Sequence, residues 1–296
     1  GKKICAKLHK NGHLIRIITR NSARASNQLR PLLGEDFEVH EWNGQDALSS
    51  DVFEGIDSLI HLMGENIGDK RWTEAQKEKL YMSRVSSTQK IRESLKRSSQ
   101  TLKSIVSTSA IGIYPPNTGE TLTEQDQLSF NFLGNLCQEW EREGQKLPAE
   151  RRIILRVGVV LGKDGGALKK LLPIFKLGLG GPVGKGDQVM SWIHVQDLAD
   201  LYVSALENEN FHGVFNAVAP NPKSNKEFSK LLGKSLNRPA LFPVPQLVLK
   251  MALGEMSSIV LDSHKVSCKK LQEIGFQFNY PDLNKAFKEI VSKETS

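Results

Sequence analysis

Four runs of nearly unbroken apolar residues, LIRIIT, SLIHLMG, LKSIVSTSA and RIILRVGVVLG, alternate along the chain with segments of helical periodicity. A strand that is apolar on successive residues has no solvent face. It belongs in a parallel sheet covered on both sides by the helices that connect its strands. FEVHEW adds a further strand, and the intervening helices are predicted over Ser22 to Leu33, from a capping Thr73 towards Leu95, and from Phe130 to Gln145. In the second of these Leu80, Val85, Thr88, Ile91 and Leu95 recur at helical spacing. The fold class that follows is α/β, a doubly wound parallel sheet of Rossmann type.

Such a fold opens on a central strand, and the loop leaving that strand carries the glycines that let backbone approach a pyrophosphate. The sequence instead opens on a helix, Lys3 to Asn11, with Ile4 and Leu8 on one face and Gly12 placed to end it in the left-handed conformation. The expectation is therefore that a first strand is absent from residues 1–296, and that dinucleotide binding by these residues alone is weak. Gly1 then fits the last glycine of the fingerprint, where a missing side chain permits close helix–sheet packing.

After Gly162 the rhythm changes. A glycine-rich stretch, KDGGALKKLLPIFKLGLGGPVGKGDQVMSW, precedes a helix in WIHVQDLADLYVSALEN and a strand in GVFNAVAP. From Asn225 onwards the chain reads as helical. Residues 1–160 and 191–220 are assigned to the nucleotide domain, and 161–190 and 221–296 to a smaller, mostly helical substrate lobe. The loop GLGGPVGKG lacks the Ser or Thr of a phosphate-binding P-loop and reads as a rim over the substrate.

Composition narrows the function classes. Three scattered cysteines, Cys5, Cys137 and Cys268, argue for reduced thiols rather than a disulfide or zinc framework. Seven histidines show no metal-binding spacing, so no metal is expected. The net charge of +7 comes from lysines spread along helices and reads as a solvated surface, with no nucleic-acid groove expected. No apolar stretch is long enough for a bilayer span, and a cytoplasmic location is the default.

Which nucleotide is read from the strand ending IITRNSAR. Arg20 stands where an NAD site places an acid for the adenosine ribose, with Asn21 and Ser22 behind it. A guanidinium suits a 2'-phosphate, so NADP is the expected cofactor; a surface arginine is the bland alternative.

The ordered motifs HLMGENIGDKRWTEAQKEKLYMSRVSSTQ, STSAIGIY, LCQEWE, LRVGVVLGKDGGAL, FKLGLGGPVGKGDQVMSWIHVQDLA and GEMSSIVLDSHKV resemble the atypical extended short-chain dehydrogenase/reductases called epimerase family proteins. These end in a small domain of unknown function, and the resemblance runs from Gly1 to about Val291. It implies a Rossmann domain with a substrate lobe, NADP as cofactor, and a small-molecule substrate that it does not identify.

The parent superfamily works with an Asn–Ser–Tyr–Lys set. Ser109 fits the serine and is the catalytic candidate; Arg84 replaces the asparagine. The helix FNFLGNLCQEWEREGQK holds no tyrosine: Leu133 or Cys137 falls at that position, and Cys137 or Glu141 at the lysine position. Tyr114 is the nearest tyrosine in sequence. Loss of a Tyr–Lys acid–base pair removes an effect of about a hundred- to ten-thousandfold in rate. The thiol of Cys137, with Glu139 and Glu141 near, is expected to have a raised pKa and to be packing first.

By the same resemblance Gly64, Glu65 and Asn66 contact the cofactor ribose, and the backbone of the strand exit from Arg156 to Gly162, Gly158 included, meets the nicotinamide carboxamide. Arg71, Trp72, Gln188, Trp192 and His194 are the substrate-pocket candidates. Trp72 reads equally well as core, His194 as a structural hydrogen-bonder, and Asp197 as the cap of a helix starting at Leu198. The expected function is an epimerase-like NADP oxidoreductase without the usual Tyr-x3-Lys pair; the alternatives are a catalytically quiet NADPH-binding regulator and, more weakly, an RNA-binding protein.

Overall fold

The computed structural model describes residues 1–292. The chain runs through α1 (Lys2–Lys10), β1 (Ile15–Thr19), α2 (Ser22–Leu33), β2 (Phe37–Glu41), β3 (Ser58–His61), α3 (Glu74–Tyr81), α4 (Ser87–Arg97), β4 (Leu102–Ala110), α5 (Phe132–Gln145) and β5 (Ala149–Val157). It continues with β6 (Val159–Leu161), α6 (Gly166–Lys176), β7 (Val189–Met190), β8 (Trp192–His194), α7 (Val195–Glu207), β9 (Gly213–Ala217) and β10 (Lys223–Ser224). Helices complete it: α8 (Asn225–Ser235), α9 (Gln246–Leu253), α10 (Ser258–Leu261), α11 (Lys269–Glu273) and α12 (Leu283–Ser292).

Side chains set many of the helix starts. Asn21 accepts from the Arg24 N–H at the head of α2, Thr73 from Gln76 at α3, and Asn131 from Gly134 at α5. Ser224 and Glu227 satisfy each other's backbone N–H groups in a reciprocal capping box at α8. Gly12, at φ +88°, turns the chain out of α1 as its position predicts.

The main sheet is parallel in the order β3-β4-β5-β9, with β4 and β5 in register from Leu102 opposite Ala149 to Ala110 opposite Val157. β1 and β2 form a separate parallel pair, Ile15 opposite Phe37, and β1 shares no ladder with β3. Their exit loops nevertheless meet, because Arg20 Nη1 after β1 lies 3.2 Å from Glu65 Oε2 after β3. Parallel strands put all these exits on one carboxyl edge, the usual place for ligands in such folds.

The central core joins Ile4 and Leu8 of α1 to Val106, Ile153, Leu155, Leu201, Tyr202 and Phe215 of the sheet and α7. A second core, of Leu161, Leu168, Leu172, Phe175, Trp192, Phe228, Leu232 and Phe287, unites α6, α8 and α12 into the lobe. The glycine-rich stretch is thus more ordered than its composition suggests. It contains α6, whose Leu168, Leu172 and Phe175 recur at helical spacing and are buried. The lobe residues 161–190 and 221–296 hold 17 lysines and arginines against 9 acidic residues. The rest of the chain is nearly neutral, so the positive charge is concentrated on the lobe and not spread evenly. The last four of those lobe residues, 293–296, lie outside the described part.

Candidate functional site

Asn21 Oδ1 fixes the first turn of α2 beside the end of β1, and Arg20 projects from the same edge with its side chain 69% exposed. The N–H and hydroxyl of Ser22 both donate to Glu41 Oε2, at 3.0 and 2.6 Å. Two of the protein's own carboxylates, Glu41 and Glu65, therefore sit on this helix N-terminus and guanidinium. The arrangement binds anions, which is what a terminal phosphate requires.

Beyond β3 the loop from Gly64 is tied down by polar contacts. Ser83 Oγ accepts from Glu65 N at 2.9 Å, Arg84 Nη2 donates to Glu65 O at 2.8 Å, and Asn66 bonds Asp69 and the Gly68 N–H. Ser83 and Arg84 come from a π-helical turn, Met82–Ser86, that interrupts α3 and α4. Such turns widen one helical step and are frequent at functional sites. Trp72, at 8% exposure, donates to Ile67 O and packs on Phe132; it is core, while Arg71 beside it is exposed, its guanidinium next to Gly254.

Below the carboxyl edge lies a buried polar chain. Ser109, on β4, is 1% exposed, and its hydroxyl donates to Glu141 Oε1 of α5 at 2.6 Å. Arg156 of β5 grips that carboxylate through Nε and Nη2, each at 2.9 Å. Arg156 Nη1 donates to the Tyr114 hydroxyl at 2.9 Å, and that hydroxyl donates to Asn216 Oδ1 at 2.7 Å. Glu124 Oε1 accepts from Asn216 N at 2.7 Å. Burial pushes the Tyr114 phenol up to about 12 against the pull of Arg156, so it keeps its proton at neutral pH.

Both Cys137 and Glu141 of α5, one turn apart, reach Ser109. Burial, with Glu141 beside it, pushes the Cys137 thiol up to about 11. Glu139, expected to contribute, instead pairs with Arg142 on the surface. Leu133 lies against Gly112.

Several expectations are revised by this geometry. Arg156, whose backbone is expected at the cofactor, has a side chain that is 4% exposed and takes no part in the cleft surface: its donors go to Glu141, Tyr114 and Glu124 O. A Cβ on Gly158 would lie 2.6 Å from Ser191 O and 2.7 Å from Val218 Cγ1, so glycine there permits two chain segments to cross. At Gly1 a Cβ would meet nothing within 4 Å, so no close packing among the described residues demands that glycine. Trp192 is fully buried and donates to Asn221 O. His194, 1% exposed, caps α7 by accepting from Gln196 N and faces Glu289 at 3.1 Å; the helix begins at Val195, not Leu198. Asp197 is consequently not its cap: it accepts from the N–H groups of Asn279 and Tyr280, both at 2.9 Å, and fastens the C-terminal segment. Gln188, also buried, donates to Val183 O and Val260 O. The structure thus sets the Arg71 guanidinium beside Gly254, keeps Gln188 within the lobe, and ties Trp192 and His194 of the domain to Asn221 and Glu289 of the lobe.

Glu141 and Arg84 are the residues whose roles sequence reasoning did not assign. The i, i+4 spacing of Cys137 and Glu141 was a signal for the first, because it turns both towards one strand. Among the described residues no group of three or more His, Cys, Asp or Glu is placed to hold a metal ion, and no helix is long and apolar enough to cross a membrane.

Comparison with known proteins places this geometry. Residues 1–217 match the model of the NAD dependent epimerase/dehydratase family, and residues 244–290 match a domain of unknown function, DUF1731. Epimerase family protein YfhF of Bacillus subtilis is 34% identical over 99% of this chain and 94% of its own. Human epimerase family protein SDR39U1 is 36% identical over 83% of this chain and 86% of its own. The crystal structure of human SDR39U1 isoform 2 with NADPH superposes with a TM-score of 0.81 at 32% identity, over 94% of this chain and 99% of that one. UDP-glucuronic acid 4-epimerase from Bacillus cereus, at 17% identity and a TM-score of 0.79 over 100% of this chain and 96% of its own, shares the fold. A parallel sheet with its polar groups gathered at the carboxyl edge, matched over most of its length by one family, leads to a single assignment: the chain belongs to the NAD dependent epimerase/dehydratase family.

Proposed function

We propose that this protein binds NADP(H) across the carboxyl edge of its sheet and acts as an epimerase-like oxidoreductase on a small molecule. The observation that carries the cofactor choice is the exposed Arg20 beside the capped N-terminus of α2. Carboxylates already occupy that guanidinium and the Ser22 donors, which supports an anionic group as their ligand. Arg20, Asn21 and Ser22 would hold the 2'-phosphate, and the Gly64–Asn66 loop the ribose. The similarity to an NADPH-bound relative supports the same choice. The cofactor, when bound, supplies hydride transfer.

The chain's own residues set the proton chemistry. The Ser109 proton points to Glu141, so the hydroxyl's remaining capacity is as an acceptor. Arg156 clasps Glu141 in a two-point contact of which little is exposed. No phenol with a lowered pKa stands in the position of the usual tyrosine, so proton transfer would have to run through Ser109 and Glu141.

A second reading, a catalytically quiet NADPH-binding regulator, is favoured by the burial of Ser109 and the high pKa of Cys137. Two measurements separate the readings. NADPH should bind more tightly than NADH by fluorescence titration; the reverse order rejects the NADP assignment. A metabolite screen that changes the redox state of bound cofactor, with turnover abolished in Ser109→Ala, supports the enzyme. Tight NADPH binding with no turnover on any metabolite supports the regulator.

A further inference from the structure

Residues 165–186 and 228–254 carry seven lysines, one arginine and no aspartate or glutamate, in a chain with 33 acidic residues. The two stretches meet on the lobe. Phe242 N donates to Gly180 O at 3.4 Å, Val244 N to Pro182 O at 2.9 Å, and Gly184 N to Val244 O at 2.9 Å, so 180–184 and 242–244 run side by side as a narrow ladder. α6 enters this ladder at one end, with Leu179 N bonded to Ile174 O, and α9 leaves it at the other, with Gln246 packed on Gly184.

Apolar side chains stand uncovered on this platform. Among the described residues eight large apolar side chains are more than half exposed; Leu14 and Phe130 lie elsewhere, and the other six, Leu177, Leu179, Leu241, Phe242, Leu247 and Met251, are all here. No residue of α9 is buried. Leu247 and Met251, four residues apart, share one face of that helix, and Lys250 flanks it. Arg238 and Lys250 form no ion pair among the described residues. Glu255, the acid that ends the second stretch, is turned to Lys77 at 2.7 Å. Apolar side chains gathered so closely on the outside of a folded chain mark a contact surface.

We propose that this face of the lobe docks on an anionic phospholipid bilayer, with α9 and the ladder in the interface and the cations among the headgroups. Charge selects the occupant. A second copy of the chain would set the same cations against one another, which is unfavourable. Seven of the eight cations are lysines, a residue depleted from protein–protein interfaces and suited to reach from an apolar surface to charged headgroups. A lipid interface meets both needs, because its acyl boundary takes the leucines, Phe242 and Met251 while its headgroups neutralise the lysines. The contact is peripheral, since no described helix is long and apolar enough to cross a membrane. The face borders the loop that follows β3: Lys170 of α6 donates to Gly68 O at 2.6 Å, and Gly254, just past α9, lies against Arg71. Docking therefore brings the mouth of the cleft near the bilayer surface.

The test is co-sedimentation of the full chain with vesicles of phosphatidylcholine, alone or mixed with phosphatidylglycerol, at low and high salt. Wild type should bind the mixed vesicles, bind phosphatidylcholine weakly, and loosen its hold as salt rises. Each cation near an anionic surface contributes about fivefold in affinity, so Arg238→Gln with Lys250→Gln should lose about 25-fold. Leu241→Ser with Leu247→Ser should lose about tenfold or more at either salt, because that share of the contact is apolar. Both double variants change exposed side chains and should keep native circular dichroism and wild-type NADPH affinity. If no protein binds NADPH yet the vesicle results hold, the nucleotide reading falls and the docking surface stands. A wild type that ignores the mixed vesicles, or binds phosphatidylcholine alone equally well, overturns the proposal, as do variants that bind as wild type does. Without vesicle binding, a dimer in sedimentation velocity that Leu241→Ser with Leu247→Ser dissolves would give the face to a second copy, and a monomer would leave it to an acidic protein. Should the serine variant unfold, the glutamine variant decides alone.

Discussion

Ser109 Oγ on β4 and Glu141 Oε1 on α5 are 2.6 Å apart, and the same carboxylate is clasped by Arg156 from the neighbouring strand. The serine that the family resemblance marks for catalysis is thus also the outer member of a buried ion-pair network. Glu141→Gln would keep the shape but leave the Arg156 charge uncompensated at 4% exposure. Breaking a buried pair from one side costs about 3–5 kcal/mol. Adding Arg156→Met to Glu141→Gln should cost less than the sum of the two single changes. Denaturant unfolding of the four proteins checks this; additive effects would show that the pair is energetically independent.

At the nucleotide edge the exposed ion pair between Arg20 and Glu65 competes with any phosphate for the guanidinium. Such a pair is itself worth little, roughly 0–1 kcal/mol. Glu65→Gln should therefore tighten NADPH binding by a few-fold at low salt, with a smaller gain at high salt. Arg20→Ser should lose about 10-fold or more for NADPH and leave NADH nearly unchanged. Fluorescence titration of both nucleotides against both variants reads the outcome.

Much of this architecture was legible in the sequence because it rests on local or periodic chemistry. The apolar strands, the Thr73 cap and the left-handed Gly12 each depend on residues within one turn or one strand. What escaped depends on distance. Arg156 reads as a strand-exit residue until Glu141, 15 positions away on a helix, is folded against it. Asp197 reads as a cap because it opens a helix, yet residues more than 80 positions away claim its carboxylate. Arg84 was visible as a departure from the family's asparagine. Its surroundings were not, because a π-helical turn shifts which residues face the cleft.

Acid should destabilise the protein through His61. The imidazole is 2% exposed and bonds Thr88 Oγ1 at 2.8 Å; since the Thr88 hydrogen goes to Arg84 O, Nε2 carries the proton of the neutral ring. Burial lowers its pKa from 6.5 to about 4. The unfolded chain takes up this proton first, so stability is complete above pH 6.5 and falls as the pH drops towards 4. The loss amounts to roughly 3 kcal/mol at the lower end. Burial moves His194 and His264 the same way. His61→Asn, which cannot titrate, should flatten the dependence of melting temperature on pH between 6.5 and 4.

Thiol chemistry gives an independent reading of the cleft. Cys137 and Cys268 are both pushed up to about 11 by burial. At pH 8 their thiolate fraction is on the order of a hundredfold below that of a free cysteine. Both should label slowly with a disulfide reagent in the native protein and rapidly once it is unfolded. Prompt native labelling of Cys137, identified by mass spectrometry, would show that the interior around Ser109 opens to solvent.

Glycines 64 and 158 separate two kinds of close approach. At Gly158 the obstacle to a Cβ is largely backbone, the Ser191 carbonyl at 2.6 Å, where β5 passes into β6 and Gly158 N donates to Ala217 O. Backbone fixed in two ladders has no rotamer to change, so Gly158→Ala should cost about 1–3 kcal/mol, as overpacking does. At Gly64 the obstacle is the far end of Arg84, a flexible side chain that moves at small cost. Gly64→Ala should leave the melting temperature within a few degrees of wild type while disturbing the guanidinium. Stability and ligand affinity are thus expected to respond in opposite ways at the two positions: Gly158→Ala lowers the melting temperature, and Gly64→Ala lowers NADPH affinity. Parallel thermal melts and NADPH titrations decide it, because a large stability loss at Gly64 would mean that Arg84 is locked in place by the fold and cannot yield to a new side chain.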